Sequence, residues 1–314
     1  MRGGVGEASA ITAPRCGRGQ PRGVSRGGAC VLTVDAHHHL WGNPPACVRP
    51  DDDRMRSVRR PFTVAQWQAQ LRAAEVDRSI LVESGRCDEA ESEDLLRWAT
   101  EAPQIAGVVL WADLTGPGLE ARIARHLRRS GGHRVVGVRA QIQAEPDPDH
   151  LDRPDVRRGL RVVAAAGLAF DLLVRVDQLP AAARAAAALP HVRFVLDHLG
   201  KPEIRAGATG LARWREPFAA LAEQPNVTAK MSGLVTEADW VSWRADDLRP
   251  FVREALDRFG PDRLMFGSDW PLCLLAGSYG RVRAALHQVL PALSEAASHA
   301  IFGGTAARVY RLAV

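Results

Sequence analysis

The chain has 314 residues, 46% of them hydrophobic and 25% charged. That balance suits a large buried core and excludes disordered and collagen-like classes. No apolar run approaches the ~20 residues of a membrane span, and five cysteines without a CxxC pair argue against a disulfide framework or a thiolate zinc site. The net charge is +5, but Arg2, Arg15, Arg18, Arg22 and Arg26 against Glu7 place +4 of it in residues 1–30.

Those first 30 residues also hold eight glycines and show no strong hydrophobic periodicity. They are expected to form a disordered, flexible basic extension. They lack the apolar core of a secretory signal, so a cytoplasmic protein with reduced cysteines is expected. No aromatic residue interleaves these arginines for base stacking, so no nucleic-acid partner is expected. No membrane partner is expected either.

From residue 31 onward, strand-like runs alternate with Ala/Leu/Arg-rich segments in one domain, 31–314. The strands are expected at VLTVDAHHH (31–39), RSILVES (78–84), IAGVVLWAD (105–113), VVGVRAQI (135–142), AFDLLV (169–174), VRFVLDH (192–198), VTAKMSG (227–233) and RLMFGSD (263–269). Segments such as TVAQWQAQLRAAEV and EAESEDLLRWATEA between them carry apolar residues at helical spacing. Eight strands at a pitch of about 33 residues predict an α/β fold, a (β/α)8 TIM barrel. No GxGxxG follows the first strand, which disfavours an open doubly wound sheet. The irregular stretch 42–61 directly after the first strand is expected to arch over the active-site face.

Several strands turn polar only at their C-terminal ends, where barrels place their chemistry. Alternation along the first strand puts Asp35, His37 and His39 on one face and His38 on the other. Barrel closure brings Asp269 beside the first strand, and His198 reaches in from the sixth. Three imidazoles and one carboxylate suit a divalent metal such as zinc. Only two of the 41 basic residues are lysine, Lys201 and Lys230. Lys201 is expected at the rim and Lys230 within the seventh strand. Trp41 and Trp270 flank the two key strand ends and are expected as apolar walls of the site.

The motifs VDAHHHLW, GVRAQIQ, FVLDHLGKP, KMSGL, LMFGSDWPLCLL and GGTAARVYRL occur in this order. In that combination the chain resembles the amidohydrolase-related lactonases, a family that includes the L-fuconolactonase and L-rhamnonolactonase types. The resemblance runs from about residue 33 to the C-terminus. It implies an amidohydrolase-like barrel that opens the lactone of a sugar acid or related carboxylate by attack of an activated water. It places His37, His39, His198 and Asp269 in the metal or catalytic set, with Asp269 and His198 as catalytic residues and Arg139 as a substrate contact. Lys201, Glu83 and the 42–61 stretch are expected to read the rest of the substrate.

There are departures. Ala140 stands where close sugar lactonases often have histidine, and Glu83 where they often have glutamine. The superfamily's strand-five histidine and strand-four lysine are absent, which argues against a binuclear centre. Some relatives work without a metal, so one zinc ion and metal independence both stay open. Two other readings compete: a metal-dependent decarboxylase of an aromatic or muconate acid on the same barrel, and a non-catalytic anion or nucleic-acid binder acting through the extension. A monomer and a homodimer both stay open.

Overall fold

Runs such as Ile80-Leu81-Val82 and Val108-Val109-Leu110 are apolar on both faces, which is the composition of a strand buried on both sides. The computed structural model describes residues 32–313. The extension expected over residues 1–30 lies outside the described residues. Eight strands form one parallel sheet in sequential order: β1 (Val34–His38), β2 (Arg78–Val82), β3 (Ile105–Trp111), β4 (Val135–Ala140), β5 (Ala169–Leu172), β6 (Arg193–Leu196), β7 (Val227–Met231) and β8 (Leu264–Phe266).

One main helix follows each strand: α1 (Val64–Ala74), α2 (Glu89–Glu101), α3 (Leu119–Leu127), α4 (Pro154–Ala165), α5 (Leu179–Ala188), α6 (Gly207–Ala222), α7 (Ala245–Phe259) and α8 (Tyr279–Val289). Short α9 (Glu295–His299) and α10 (Thr305–Val309) close the chain. Local chemistry sets the helix starts. Thr63 and Gln66 make a reciprocal capping box at α1, and Asp88 and Ser278 cap α2 and α8. This is the expected (β/α)8 barrel, with every strand in its expected place and shorter at one or both ends. Among the described residues no helix is long and apolar enough to cross a membrane.

The barrel closes irregularly. β8 has only three residues, so the seam to β1 is carried by the residues after it. Asp269 N–H donates to the His37 carbonyl (2.8 Å) and His39 N–H to the Trp270 carbonyl (2.7 Å). Asp35 Oδ1 accepts from both Ser268 N–H (2.8 Å) and His37 N–H (3.2 Å), replacing ladder bonds that the short strand lacks.

This seam corrects one expectation. Register shifts between Asp35 and His38, a bulge in β1. Val34 and Ala36 face the barrel interior with Ile80 and Val82, yet His37 turns inward as well. Asp35 therefore does not share the face of His37 and His39. It lies in the seam against the buried Tyr279 phenol, which makes no well-directed hydrogen bond to it. Burial raises its carboxyl to about 6, against opposing hydrogen bonds from Ser268 and His37. His38 points outward, stacked on Trp67 of α1 at 4.7 Å, with its Nε2 2.8 Å from Ser79 Oγ.

Candidate active site

The sixth and eighth strands end before their polar residues do. β6 stops at Leu196, and the chain then turns through left-handed conformations at His198 (φ 54°), Leu199 (φ 51°) and Lys201 (φ 54°). Asp269 (φ 55°) does the same after β8. Such backbone costs about 1–3 kcal/mol per residue and persists where the surroundings hold it. Here it aims His198 and Asp269 across the barrel mouth. Gly233 (φ 60°) is required beneath them: a Cβ there would lie 2.5 Å from His198 Nδ1 and 3.0 Å from Asp269 Oδ2. Gly267 is required too, since its Cβ would meet that of His37 at 2.7 Å.

The four expected residues converge. His37 Nε2 lies 3.2 Å from His39 Nε2 and 3.8 Å from Asp269 Oδ1, and His39 Nε2 lies 3.4 Å from the same oxygen. The His37 and His198 rings are 4.6 Å apart. The far nitrogen of each of these rings is already engaged: His39 Nδ1 by the Val82 carbonyl, His198 Nδ1 by Ser232 Oγ, and His37 Nδ1 by Lys230. Asp269 Oδ1 is buried without a hydrogen-bond partner. Separations of 3.2–3.8 Å between donor atoms match the edge of a tetrahedron with bonds of about 2.0–2.1 Å. His37, His39 and Asp269 thus fit a divalent ion, and His198 offers a further ligand atom within 4.8 Å of those of His37 and Asp269.

Electrostatics keep these groups ready. Burial alone would raise the Asp269 carboxyl, but His198, His39 and Lys201 outweigh it and hold it below the ordinary carboxylate value. Burial pushes His198 down to about 4, against Asp269 and Asp197, so its ring is neutral near pH 7. Burial also holds His37 well below its usual value.

Beneath the rim lies a fully buried ionic layer. Arg139 Nε is 2.5 Å from Glu83 Oε1 and its Nη1 is 2.8 Å from Asp197 Oδ2. Lys230 Nζ is 2.5 Å from Asp171 Oδ2 and 2.9 Å from Asp197 Oδ1. Tyr310, just past α10, donates to both Asp171 oxygens at 2.8 and 2.9 Å.

Above the cluster opens a cleft of about 180 Å³, with His39, His198, Asp269 and Arg139 among its lining residues. The amidohydrolase family model matches residues 34–312. The chain belongs to the amidohydrolase family. It is 39% identical to an L-fucono-1,5-lactonase of Burkholderia multivorans, over 90% of this chain and 97% of that one. A solved amidohydrolase from Burkholderia multivorans with bound zinc is 40% identical and superposes with a TM-score of 0.83, over 90% and 99% of the two chains. A 5-carboxyvanillate decarboxylase from Sphingomonas paucimobilis shares the fold alone, at 14% identity and TM-score 0.62, over 90% of this chain and all of that one.

The expected substrate contacts of this amidohydrolase fall unevenly. Lys201 lines the cleft, 3.4 Å from Glu237 Oε1. Arg139 reaches the floor, but its guanidinium is spent on Glu83 and Asp197. Glu83 is fully buried, does not line the cleft, and holds Arg139, Gln141 Nε2 and Gly85 N–H instead. Trp41 and Trp270 do not form its walls. They are buried and pack edge-on against Phe62, because the 41–62 strand bridge folds them under the loop.

Trp240 takes the apolar wall, with Met55, Leu272 and Leu275. The 42–61 stretch does arch over the site. It contains a 3-10 turn at Asp53–Val58 and lays Arg54 against the Trp240 ring at 5.3 Å. Sequence reasoning missed Trp240, Gln141, Gln143, Thr236 and Glu237. Gln141 and Gln143 follow Arg139 at two-residue spacing in GVRAQIQ, a signal that was there to read; Trp240 gave none.

Proposed function

We propose that this amidohydrolase opens the ring of an uncharged, polyhydroxylated sugar-acid lactone. The observation that carries the reading is an ionised Asp269 with an unpartnered, buried Oδ1, set beside the His37/His39/His198 cluster in the lining of a small cleft. The 39% identity to an L-fucono-1,5-lactonase over nearly both full chains supports the reaction class. The polar lining supports the substrate class. Gln141, Gln143, Thr236 and Ser84 are neutral, and both cations there, Arg139 and Lys201, already face carboxylates. A lactone bearing a second carboxylate or a sulfonate finds no free counter-charge.

Asp269 takes a proton from the attacking water as oxygen adds to the ester carbonyl. His198, neutral at working pH, is positioned by Ser232 to stabilise charge developing on the carbonyl oxygen. The ring C–O bond then breaks, and Asp269 returns the proton to the leaving alkoxide, giving the open hydroxy acid. With a divalent ion bound, His37, His39, His198 and Asp269 would hold it, the ion would supply Lewis-acid polarisation of the ester carbonyl and the attacking water, and His198 would serve as ligand in place of its stabilising role. Trp240 covers one side of the cleft and lowers its polarity.

We further read the protein as a cytoplasmic enzyme acting on free small molecules, with no nucleic-acid or membrane partner. The free thiols of Cys47, Cys87 and Cys273 support a reducing compartment. The test is a pH-indicator screen of aldonolactones, L-fucono-1,5-lactone among them, beside muconic lactones and hydroxybenzoic acids. Acid release is expected from sugar lactones. Release of CO₂ from an aromatic acid, with no lactone opened, would overturn the reading in favour of the decarboxylase.

A further inference from the structure

The cleft wall that follows β4 carries two side-chain amides, Gln141 and Gln143. An amide can sit either way round unless its neighbours forbid it. Here they do, and the order is set from below, at Glu83. Its Oε1 accepts from Arg139 Nε at 2.5 Å and its Oε2 from the Gly85 N–H at 2.7 Å. Arg139 is permanently charged and a backbone N–H only donates, so both carboxylate oxygens are committed as acceptors. Burial alone would lower the Arg139 guanidinium, but Glu83 and Asp197 outweigh it and raise it, as an ionic pair requires.

The Gln141 amide meets the same Glu83 Oε1 at 2.6 Å. An amide oxygen there would face a carboxylate oxygen with no hydrogen between them, so the near atom is Nε2. Gln141 Oε1 then points on to Gln143, whose near atom, at 3.3 Å, is Nε2 for the same reason. A single direction runs through three side chains: Gln143 donates to Gln141, and Gln141 donates to Glu83. Reversing either amide puts oxygen against oxygen.

The chain ends at Gln143 Oε1. The Gln143 backbone is already spent, with its N–H on the Leu173 carbonyl at 2.9 Å and its own carbonyl accepting from Arg175. Its Oε1 takes no hydrogen bond from any described residue, yet it is not among the buried atoms closed off from solvent, and Gln143 lines the cleft. An acceptor is thus held open to the cleft. Turning the amide to offer Nε2 in its place would cost the bond to Gln141.

We propose that Gln143 Oε1 is a specificity-determining acceptor for one hydroxyl of the substrate, and that Gln141, oriented by Glu83, is the positioning residue that fixes its polarity; this rests on the sugar-lactone reading of the cleft. A substituent that gives a hydrogen is taken at this wall. One that only accepts meets a lone pair and is disfavoured.

The test uses the full chain and the aldonolactone opened fastest in the screen, beside its deoxyfluoro analogues, one for each hydroxyl. Fluorine keeps roughly the size of a hydroxyl but cannot donate. In the wild type, fluorine at one position is expected to lower kcat/KM about 10-fold, the scale of one hydrogen bond, mainly through KM. Gln143→Met lowers the parent lactone by about the same factor and abolishes the penalty at that position alone. Gln141→Met keeps Gln143 but frees its amide to turn an N–H toward the fluorine, so the same penalty shrinks to about 3-fold or less. A residue that merely packs there lowers parent and analogue alike and leaves their ratio unchanged.

A wild type with no such penalty at any position overturns the proposal, whether or not the variants fold. So does a Gln143→Met that loses activity on parent and analogues in equal measure. A Gln141→Met whose penalty stays at the wild-type value overturns the positioning role. Failure to open any lactone overturns the reading beneath; a lactone opened without these ratios overturns this inference and leaves that reading standing.

Discussion

The barrel interior has two layers built from the same strands on opposite principles. Toward the strand starts, Val34, Ala36, Ile80, Ala169, Val195 and Met265 form an apolar plug with Leu312. One step further, Glu83, Arg139, Asp171, Asp197 and Lys230 form a layer of buried ions, with the Tyr310 hydroxyl reaching it from below. The first layer needs only volume and hydrophobicity, and it tolerates exchange of similar residues. The second works only as a whole, because each unpaired buried charge costs several kcal/mol. The rim chemistry stands on this second layer, so its precision depends on the least tolerant part of the core.

The largest expected effect separates the rim from the layer beneath it. Asp269→Asn removes proton transfer and is expected to cut kcat about 10²–10⁴-fold while the urea midpoint stays near that of the wild type. Near-wild-type turnover would remove Asp269 from its role.

The pH profile sharpens the same contrast. Rim activity requires an ionised Asp269, whose carboxyl is held low, and a neutral His198, whose pKa is about 4. Protonation of either inactivates, so kcat/KM is expected to be flat from about pH 8 to pH 5 and to fall near pH 4. Asp171 in the ionic layer is raised by burial to about 6, against Lys230. An acid limb near pH 6 would move control from the rim to that layer.

The ionic layer itself is probed by stability. Lys230→Met leaves Asp171 and Asp197 without their shared cation, and is expected to cost about 3–5 kcal/mol in urea unfolding. Tyr310→Phe removes one donor from Asp171 and is expected to cost about 1–3 kcal/mol. A ledger in which Lys230→Met costs no more than Tyr310→Phe would break the contrast between the layers. The smallest effect belongs to the half-buried Lys201–Glu237 pair at the cleft wall. Lys201→Met is expected to raise KM by up to ~5-fold with kcat nearly unchanged, the scale of an ion pair worth about 1 kcal/mol or less.

The strands were legible because each is a short apolar run bounded by turn residues, and their even spacing admits few architectures. His37, His39, His198 and Asp269 were legible because polar residues at barrel strand ends are costly unless used. Other features were not. The β1 bulge turns Asp35 away from the site, and a one-residue slip in a strand leaves no mark in its hydrophobic pattern. Trp41 and Trp270 sit beside the key residues in sequence yet pack against Phe62, whereas Trp240, far from any motif, covers the cleft.

The amino-acid sequence by itself determined the barrel, its strand order and the four residues that meet at its mouth, since these follow from periodicity and from which ends turn polar. Only the tertiary structure decided which buried charge answers which. Arg139 finds Glu83 across 56 residues, Lys230 finds Asp171 across 59, and Tyr310 reaches Asp171 across 139. Those pairings depend on barrel closure. The field around a buried ion is set by whatever closure brings within a few ångströms, and no local pattern encodes that.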